Sequence, residues 1–486
     1  PVTHHAAGPE RPGHMPGGED RWPLVATAGV LSFVSMLDMN IVNVALADIA
    51  DGLHISAATA QWTVLAYQLP VVALLLPVGR WLDGTGPRFA VVLATAGFGL
   101  CSALAAAAPW AAWLIAARLA QGTFGAVLFV LMPVLAIRSV RPHLRGRAMS
   151  VPATLGPLGA VTGPAVGGLL LDHWGWRSVF LVKIPFCVLA LAVVMAVPSA
   201  RPESEAAGDG RPRLPGRRSC ADALLVATGV AALLLALTLA SRGPYWPALA
   251  IAAGPPLWWW LRGPGGRPMT RMLRTNGLLR AHGAVLALAV GFAAMHYVVA
   301  LQLQRGDGVS ATTTGLTVLA FPLAMALAGP LGGRLADLPH SRLRSSGGTP
   351  TGARRVAVTG AALTAAGLLL LVPLGEGLSP LDTAWRLALA GVGMGLNGGP
   401  TQALVMGTAP PDRTATVGST VQLARSLGFT LGPALATAAW AIGGARAGLA
   451  LAATAASLAV PLLALPGRRP APGPENTTDA APAAHH

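Results

Sequence analysis

The chain has 486 residues, 53% of them hydrophobic and only 11% charged, with a mean hydropathy of +0.58; this is too apolar for a soluble domain of ordinary composition. The net charge of +15 raises nucleic acid as a partner, but the basic residues lie between apolar spans rather than in one basic domain, which argues against it. Lys183 is the only lysine among 34 basic residues, a bias expected of a GC-rich bacterial genome. Cys101, Cys187 and Cys220 have neither paired nor metal-ligand spacing, so no disulfide, metal or cofactor is expected.

The first twenty residues lack the apolar core of a cleavable signal peptide. His4, His5, His485 and His486 are assigned no function. Apolar runs near membrane length then predict fourteen helices of an all-α polytopic membrane protein, at 22–48, 59–82, 89–108, 112–136, 148–171, 178–198, 221–241, 245–261, 277–303, 312–333, 355–374, 384–408, 414–441 and 446–466. With both termini cytoplasmic, 26 arginines fall inside, including Arg138, Arg141, Arg145, Arg147, Arg211, Arg213, Arg217, Arg218, Arg342, Arg344, Arg354 and Arg355. Four fall outside (Arg177, Arg242, Arg305, Arg446) and three within spans (Arg118, Arg386, Arg425). Basic loops stay on the cytoplasmic side of a bacterial inner membrane, and an odd number of helices would scramble that asymmetry.

Two basic, Pro- and Gly-containing connections divide the spans as six, two and six. The predicted units are a tail at 1–21, a half at 22–198, a linker at 199–220, an inserted pair at 221–261, a linker at 262–276, a second half at 277–466 and a tail at 467–486. The six-helix halves repeat each other. Gly79 to Asp83 is echoed by Gly333 to Asp337, Arg118-Leu119-Ala120 by Arg386-Leu387-Ala388, and Gly163-Pro164-Ala165 by Gly432-Pro433-Ala434. Parallel repeats with a site at their interface are a design of secondary transporters.

In the fifth span Gly159, Gly163 and Gly167 recur every four residues, which puts them on one helix face and lets another helix approach to backbone contact. Pro164 bends or stiffens the same helix. In water each interior glycine costs about 1 kcal/mol and the proline about 3 kcal/mol. Trp258, Trp259 and Trp260 read as an aromatic anchor at the membrane interface.

These motifs resemble the major facilitator superfamily, and within it the fourteen-helix drug:proton antiporters. The carriers are Leu37-Asp38 with Asn43-Val44-Ala45-Leu46 in the first span, Gly79 to Arg88 (GRWLDGTGPR) between the second and third, and Arg118 to Gly122 in the fourth. The glycine ladder resembles the antiporter motif of the fifth span, and Trp174 to Arg177 with Phe180 and Pro185 the entry to the sixth. Two positions depart: Lys183 stands where the family usually has asparagine, and Ala47 where proline is common. The resemblance implies export by proton antiport through two rocking halves. It also implies that Gly79, Asp83, Gly86 and Arg88 govern the change of conformation.

A carboxylate inside a span costs several kcal/mol and marks a functional site, a pair or a wet cavity. Asp38 and Arg118 lie at similar depth, so Asp38 is the candidate for exchanging a proton against substrate, with Arg118 modulating it; a permanent structural pair is the alternative. Asp83 is expected to latch the halves at the cytoplasmic face, with Gly79, Gly84 and Gly86 allowing a tight turn and Arg80 and Arg88 as partners. Its copy at Asp337 reads as topology rather than gate. Lys183 is expected to snorkel toward water, or else to face the cavity. Asn43, Gln121, His296, Tyr297, Asn397, Gln402 and Arg425 are cavity candidates, each with an interhelical hydrogen bond as its alternative.

The C-terminal spans hold Arg386 and Arg425 but no internal carboxylate, so small amphipathic cargo that is neutral, zwitterionic or anionic is favoured, moved by a monomer in the bilayer at the expense of the proton gradient. A lipid or glycolipid exporter of the same fold is the first alternative. A lipid-modifying enzyme is the second, disfavoured because paired aspartates, a His-x4-Asp pattern and a nucleophile elbow are missing; no phosphate-binding G-x4-G-K-[ST] loop points to an ATP-driven pump.

Overall fold

A computed structural model describes residues 20–197, 217–238, 248–263, 266–274, 278–337, 351–374, 377–407, 409 and 413–465. The four terminal-tail histidines and Arg211, Arg213, Arg242, Arg342 and Arg344 lie outside the described residues, as do both tails up to 19 and from 466 and most of the first linker. Among the described residues the chain is helical and has no strand.

The first half comprises α1 (Trp22–Val44), α2 (Leu46–Gly52), α3 (Ala57–Ala73), α4 (Leu75–Asp83), α5 (Pro87–Ala106), α6 (Ala111–Arg138), α7 (Arg145–Trp174), α8 (Ser178–Leu181) and α9 (Ile184–Ala196). The inserted segment holds α10 (Arg217–Thr238), α11 (Ala248–Arg262) and the short α12 (Arg267–Arg274). The second half holds α13 (Leu278–Leu301), α14 (Ala311–Asp337), α15 (Thr351–Leu369), α16 (Pro380–Gly407) and α17 (Thr414–Ala464). Each of the fourteen expected spans falls on one or two of these helices. Among the described residues nine helices are long and apolar enough to cross a membrane, or ten if the bent α3–α4 pair counts as one span.

Three spans differ in detail from the expected continuous helices. The second breaks at Leu74 with a 46° bend, because the Pro77 ring collides with the carbonyl four residues back and Pro77 has no N–H to donate. In the sixth, Pro185 has no N–H to donate: α8 stops at Leu181 and α9 resumes at Ile184 with Lys183 as its N-cap, while Val182 and Lys183 keep helical dihedrals, so the span stays in line. The last two spans run on as the 51 residues of α17, interrupted at Gly443 and Gly444, where Gly444 has φ +63°. At 1.5 Å per residue that is about 76 Å, more than two ~30 Å bilayer cores, so the glycine break separates two crossings.

The glycine ladder does what its spacing predicts. On α7, a Cβ at Gly159 would strike the Phe33 carbonyl of α1, and one at Gly163 would lie 3.1 Å from the Ile41 backbone nitrogen. Gly167 sits equally close to the Ile41 side chain, 3.0 Å away. The second half repeats this: Cβ atoms at Gly428 and Gly432 of α17 would lie 2.8 Å from the carbonyls of Leu286 and Val290 in α13. The two helices carrying the ladders therefore pack parallel to the first helix of their own half. In the inserted pair, α10 packs on α3, α4 and α17, and Asp222 meets Arg80 at 3.5 Å. Trp258 and Trp259 are exposed as an interfacial anchor should be, but Trp260 is buried in the bundle and leaves that role.

Candidate transport site

Asp38, Arg118 and Lys183 meet in one sealed cluster, each with no exposed surface. Arg118 Nη1 donates to both carboxylate oxygens of Asp38, at 3.0 and 2.8 Å. Lys183 Nζ donates to Asp38 Oδ1. Arg118 is held from behind as well: Nε donates to the Thr63 carbonyl at 3.1 Å and Nη1 to Gln121 Oε1 at 2.7 Å. Gln121 in turn donates to Ser102 Oγ (3.1 Å), which donates to the Phe180 carbonyl (3.0 Å). The Arg118 guanidinium lies 4.3 Å from the Tyr67 ring centroid, and Lys183 Nζ 4.8 Å from that of Phe180.

Two expectations change here. Lys183 does not snorkel: it is the N-cap of α9, which packs on α1, and there it reaches Asp38. Gln121 positions Arg118 instead of lining a cavity. Two cations share one carboxylate, so the cluster carries a net charge of +1 with no solvent to screen it, an arrangement costing several kcal/mol.

At the arginine-rich end of the bundle, α4 lies across the start of α17. A Cβ at Gly79 would lie 2.9 Å from the Ala415 carbonyl, so only glycine admits this approach. Asp83 then accepts from the backbone N–H groups of Ala415 (2.7 Å) and Thr416 (3.1 Å) and from the Thr416 hydroxyl (2.5 Å). A carboxylate on free N–H groups at a helix start is stabilised by hydrogen bonding and by the helix dipole. Asp337 is no mere topological relic: it accepts from the N–H groups of Gly146 and Arg147, both at 2.8 Å, at the start of α7. The two halves are thus latched twice.

The turn itself needs no special glycine, for Gly84 and Gly86 have φ of −102° and −60°. Nor do the neighbouring arginines serve Asp83 as expected: Arg80 pairs with Asp222, and Arg88 donates to the carbonyls of Met195 and Val197 at the end of α9. Beside the latches, Arg141 hydrogen-bonds Asp20 (2.7 Å) and holds its carboxyl below the usual range.

Between the halves lies a cavity of about 1290 Å³, lined by α1, α3 and α7 of one half and α13, α14, α16 and α17 of the other, with Phe129 of α6 and Leu234 of α10. Of the candidate residues, His296, Tyr297, Asn397, Gln402 and Arg425 line it. Asn43 does not; it is exposed, with its amide on the Met39 carbonyl. Asp38, Arg118, Gln121 and Lys183 are not in the lining either. Asn40, Gln68 and Gln422 line it too, beyond the candidates that the sequence suggests. For Asn40 the signal is helical geometry: two residues past Asp38, it falls on the opposite side of α1, so that helix separates the ion cluster from the cavity. Among the described residues Arg425 is the one charged side chain in the lining, bonded to Gln422 Oε1 at 2.7 Å. Gln422 Nε2 reaches across to the Phe129 carbonyl of α6 in the other half, at 3.3 Å.

The family model described as Major Facilitator Superfamily matches residues 28–302 and 283–484. The chain is 29% identical over 433 residues to "Multidrug resistance protein Stp" of Mycobacterium tuberculosis, covering 86% of this chain and 76% of that protein. It is 28% identical over 469 residues to "Probable actinorhodin transporter" of Streptomyces coelicolor, covering 90% and 77%. Among solved structures, the human organic anion transporter MFSD10 superposes with TM-score 0.64 at 17% identity, over 92% of this chain and all of that one, which supports the fold alone. Two latched helical halves around a central cavity fit these relatives: the protein is a membrane transporter, not an enzyme, and the chain belongs to the major facilitator superfamily.

Proposed function

We propose that the protein is a proton-driven exporter of small amphipathic compounds in a bacterial inner membrane, working as a drug or secondary-metabolite:proton antiporter. The observation that carries this reading is the ion cluster sealed beside, but not within, the inter-half cavity. A buried group whose charge state changes only when the bundle rearranges is what coupling a proton to a conformational cycle needs. Arginine-rich loops at the latched end support a cytoplasmic placement of that end and of both termini, and in this reading the cavity belongs to an outward-facing state. The names of the relatives support small-molecule export.

In this reading Asp38 stays ionised and Lys183 carries the proton. Protonating Asp38 would raise the cluster to +2, whereas losing a proton from Lys183 leaves a neutral Asp38–Arg118 pair. Arg118, bonded on three sides, keeps its charge throughout.

Purified protein in liposomes, given an imposed pH gradient and fluorescent amphiphiles of each charge class, tests the reading. Gradient-dependent movement with matching proton flux is the expected result. Movement indifferent to the gradient would overturn proton coupling, and folded protein moving none of the compounds would favour a lipid cargo.

A further inference from the structure

We propose that the cavity selects an elongated aromatic anion bearing a hydroxyl or other hydrogen-bond donor at its far end, with Arg425 taking the anion and His296 the donor. This deepens the export reading by naming its substrate class.

Arg425 is the single charged side chain in the lining among the described residues, and no carboxylate in that lining balances it. It bonds the neutral Gln422 amide, so a guanidinium facing the cavity has donors to offer an anion, and a cationic cargo would meet only repulsion. One turn further along α17, Phe429 contacts Phe292 of α13, ring centroids 5.7 Å apart. One turn beyond Phe292, His296 packs on it with ring centroids 4.2 Å apart and the rings tilted by 43°. Because α13 and α17 run parallel, Arg425 and His296 flank this aromatic pair from opposite sides, two to three helical turns apart, or about 11–16 Å along the axis.

The chemistry at the two ends differs. His296 Nδ1 faces the Phe292 carbonyl at 3.0 Å and must donate to it, which leaves Nε2 of the neutral ring as an acceptor. That nitrogen is buried and has no partner among the described residues. The lining therefore carries a cation at one end, aromatic faces in the middle and, at the other, a histidine packed against Phe321 whose unpartnered acceptor is buried and is reached by a turn of the ring; together these complement a fused-ring carboxylate or phenolate with a distal hydroxyl. Since the Gln422 amide that holds Arg425 also bonds Phe129 of the opposite half, an anion on Arg425 competes for a link between the halves.

Fluorescence titration of the full protein in detergent, without any gradient, tests this with 6-hydroxy-2-naphthoate, its methyl ester, 2-naphthoate and 1-methylquinolinium. The expected order is hydroxynaphthoate tightest and the ester weaker by about tenfold or more. 2-Naphthoate should be intermediate and the cation without saturable binding. Arg425→Gln should abolish the preference of acid over ester while keeping ester binding; His296→Phe should remove the advantage of the hydroxyl alone. Equal binding of acid and ester by the unaltered protein, tighter binding of the cation, or no binding of any probe would overturn the proposal. Because no gradient is involved, these outcomes stand apart from failure of proton coupling: a protein could prefer the acid yet transport without protons, or the reverse.

Discussion

Asp83 and Asp337 make the same contact with opposite halves of the molecule: each carboxylate accepts from two consecutive backbone N–H groups at the start of a long helix, Ala415 and Thr416 for one, Gly146 and Arg147 for the other. The aspartates are 254 residues apart and their targets 269, the spacings of the sequence repeats themselves. The repeated motifs thus form an exchanged pair of locks. Gly333 repeats Gly79 too, since a Cβ there would lie 2.7 Å from the Gly146 carbonyl.

Both locks should therefore matter. Asp337→Asn is expected to weaken the latched state as Asp83→Asn does, by about 0.5–2 kcal/mol each, and the double variant by roughly the sum, because the sites share no residue. Labelling rates of cysteines placed in the inter-half cavity report the shift in population. A normal labelling rate in Asp337→Asn would return that residue to a purely topological role.

On the α1–α7 contact, Gly159→Ala forces a methyl group into the Phe33 carbonyl, and backbone cannot swing aside as a side chain can. Overpacking of this kind costs about 1–3 kcal/mol. Gly168→Ala, one position beyond Gly167 and with open space at its Cβ, should leave the melting temperature in detergent unchanged or slightly raised. If both variants melt alike, the ladder is not the close-packing seam.

Charge arithmetic in the buried cluster orders a third set of variants. Asp38→Asn strands two cations and should be the most destabilising, by about 3–5 kcal/mol. Lys183→Met leaves a neutral Asp38–Arg118 pair and should fold as well as the unaltered protein or better. Thermal unfolding of the two side by side decides; a Lys183→Met protein less stable than Asp38→Asn would contradict a net +1 cluster.

Much of this architecture is legible in the amino-acid sequence, and the features that are not share physical causes. Apolar run length and loop charge locate the spans, because bilayer thickness and arginine placement are strong constraints on any chain. The pairing of Asp38 with Arg118 follows from depth along two helices. Lys183 defeats the same reasoning: its place near the end of the sixth span puts it within reach of water by length alone, whereas its side chain lies on the face packed against α1 and reaches Asp38. Which face of the helix meets α1 is set by packing between distant segments, which no local pattern records. Asp337 looks degraded as a local turn, yet its partner lies almost two hundred residues away, beyond any local pattern. Nothing in the sequence distinguishes Gln422 from other polar residues, since its value comes from Phe129 across the interface.

Proton-driven accumulation by Lys183→Met in liposomes tests the central claim most directly. The variant should still bind its cargo and let it equilibrate across the bilayer, but no longer concentrate it or move protons when a pH gradient is imposed. Gradient-driven accumulation at the unaltered rate in Lys183→Met would contradict that claim and return the proton to Asp38.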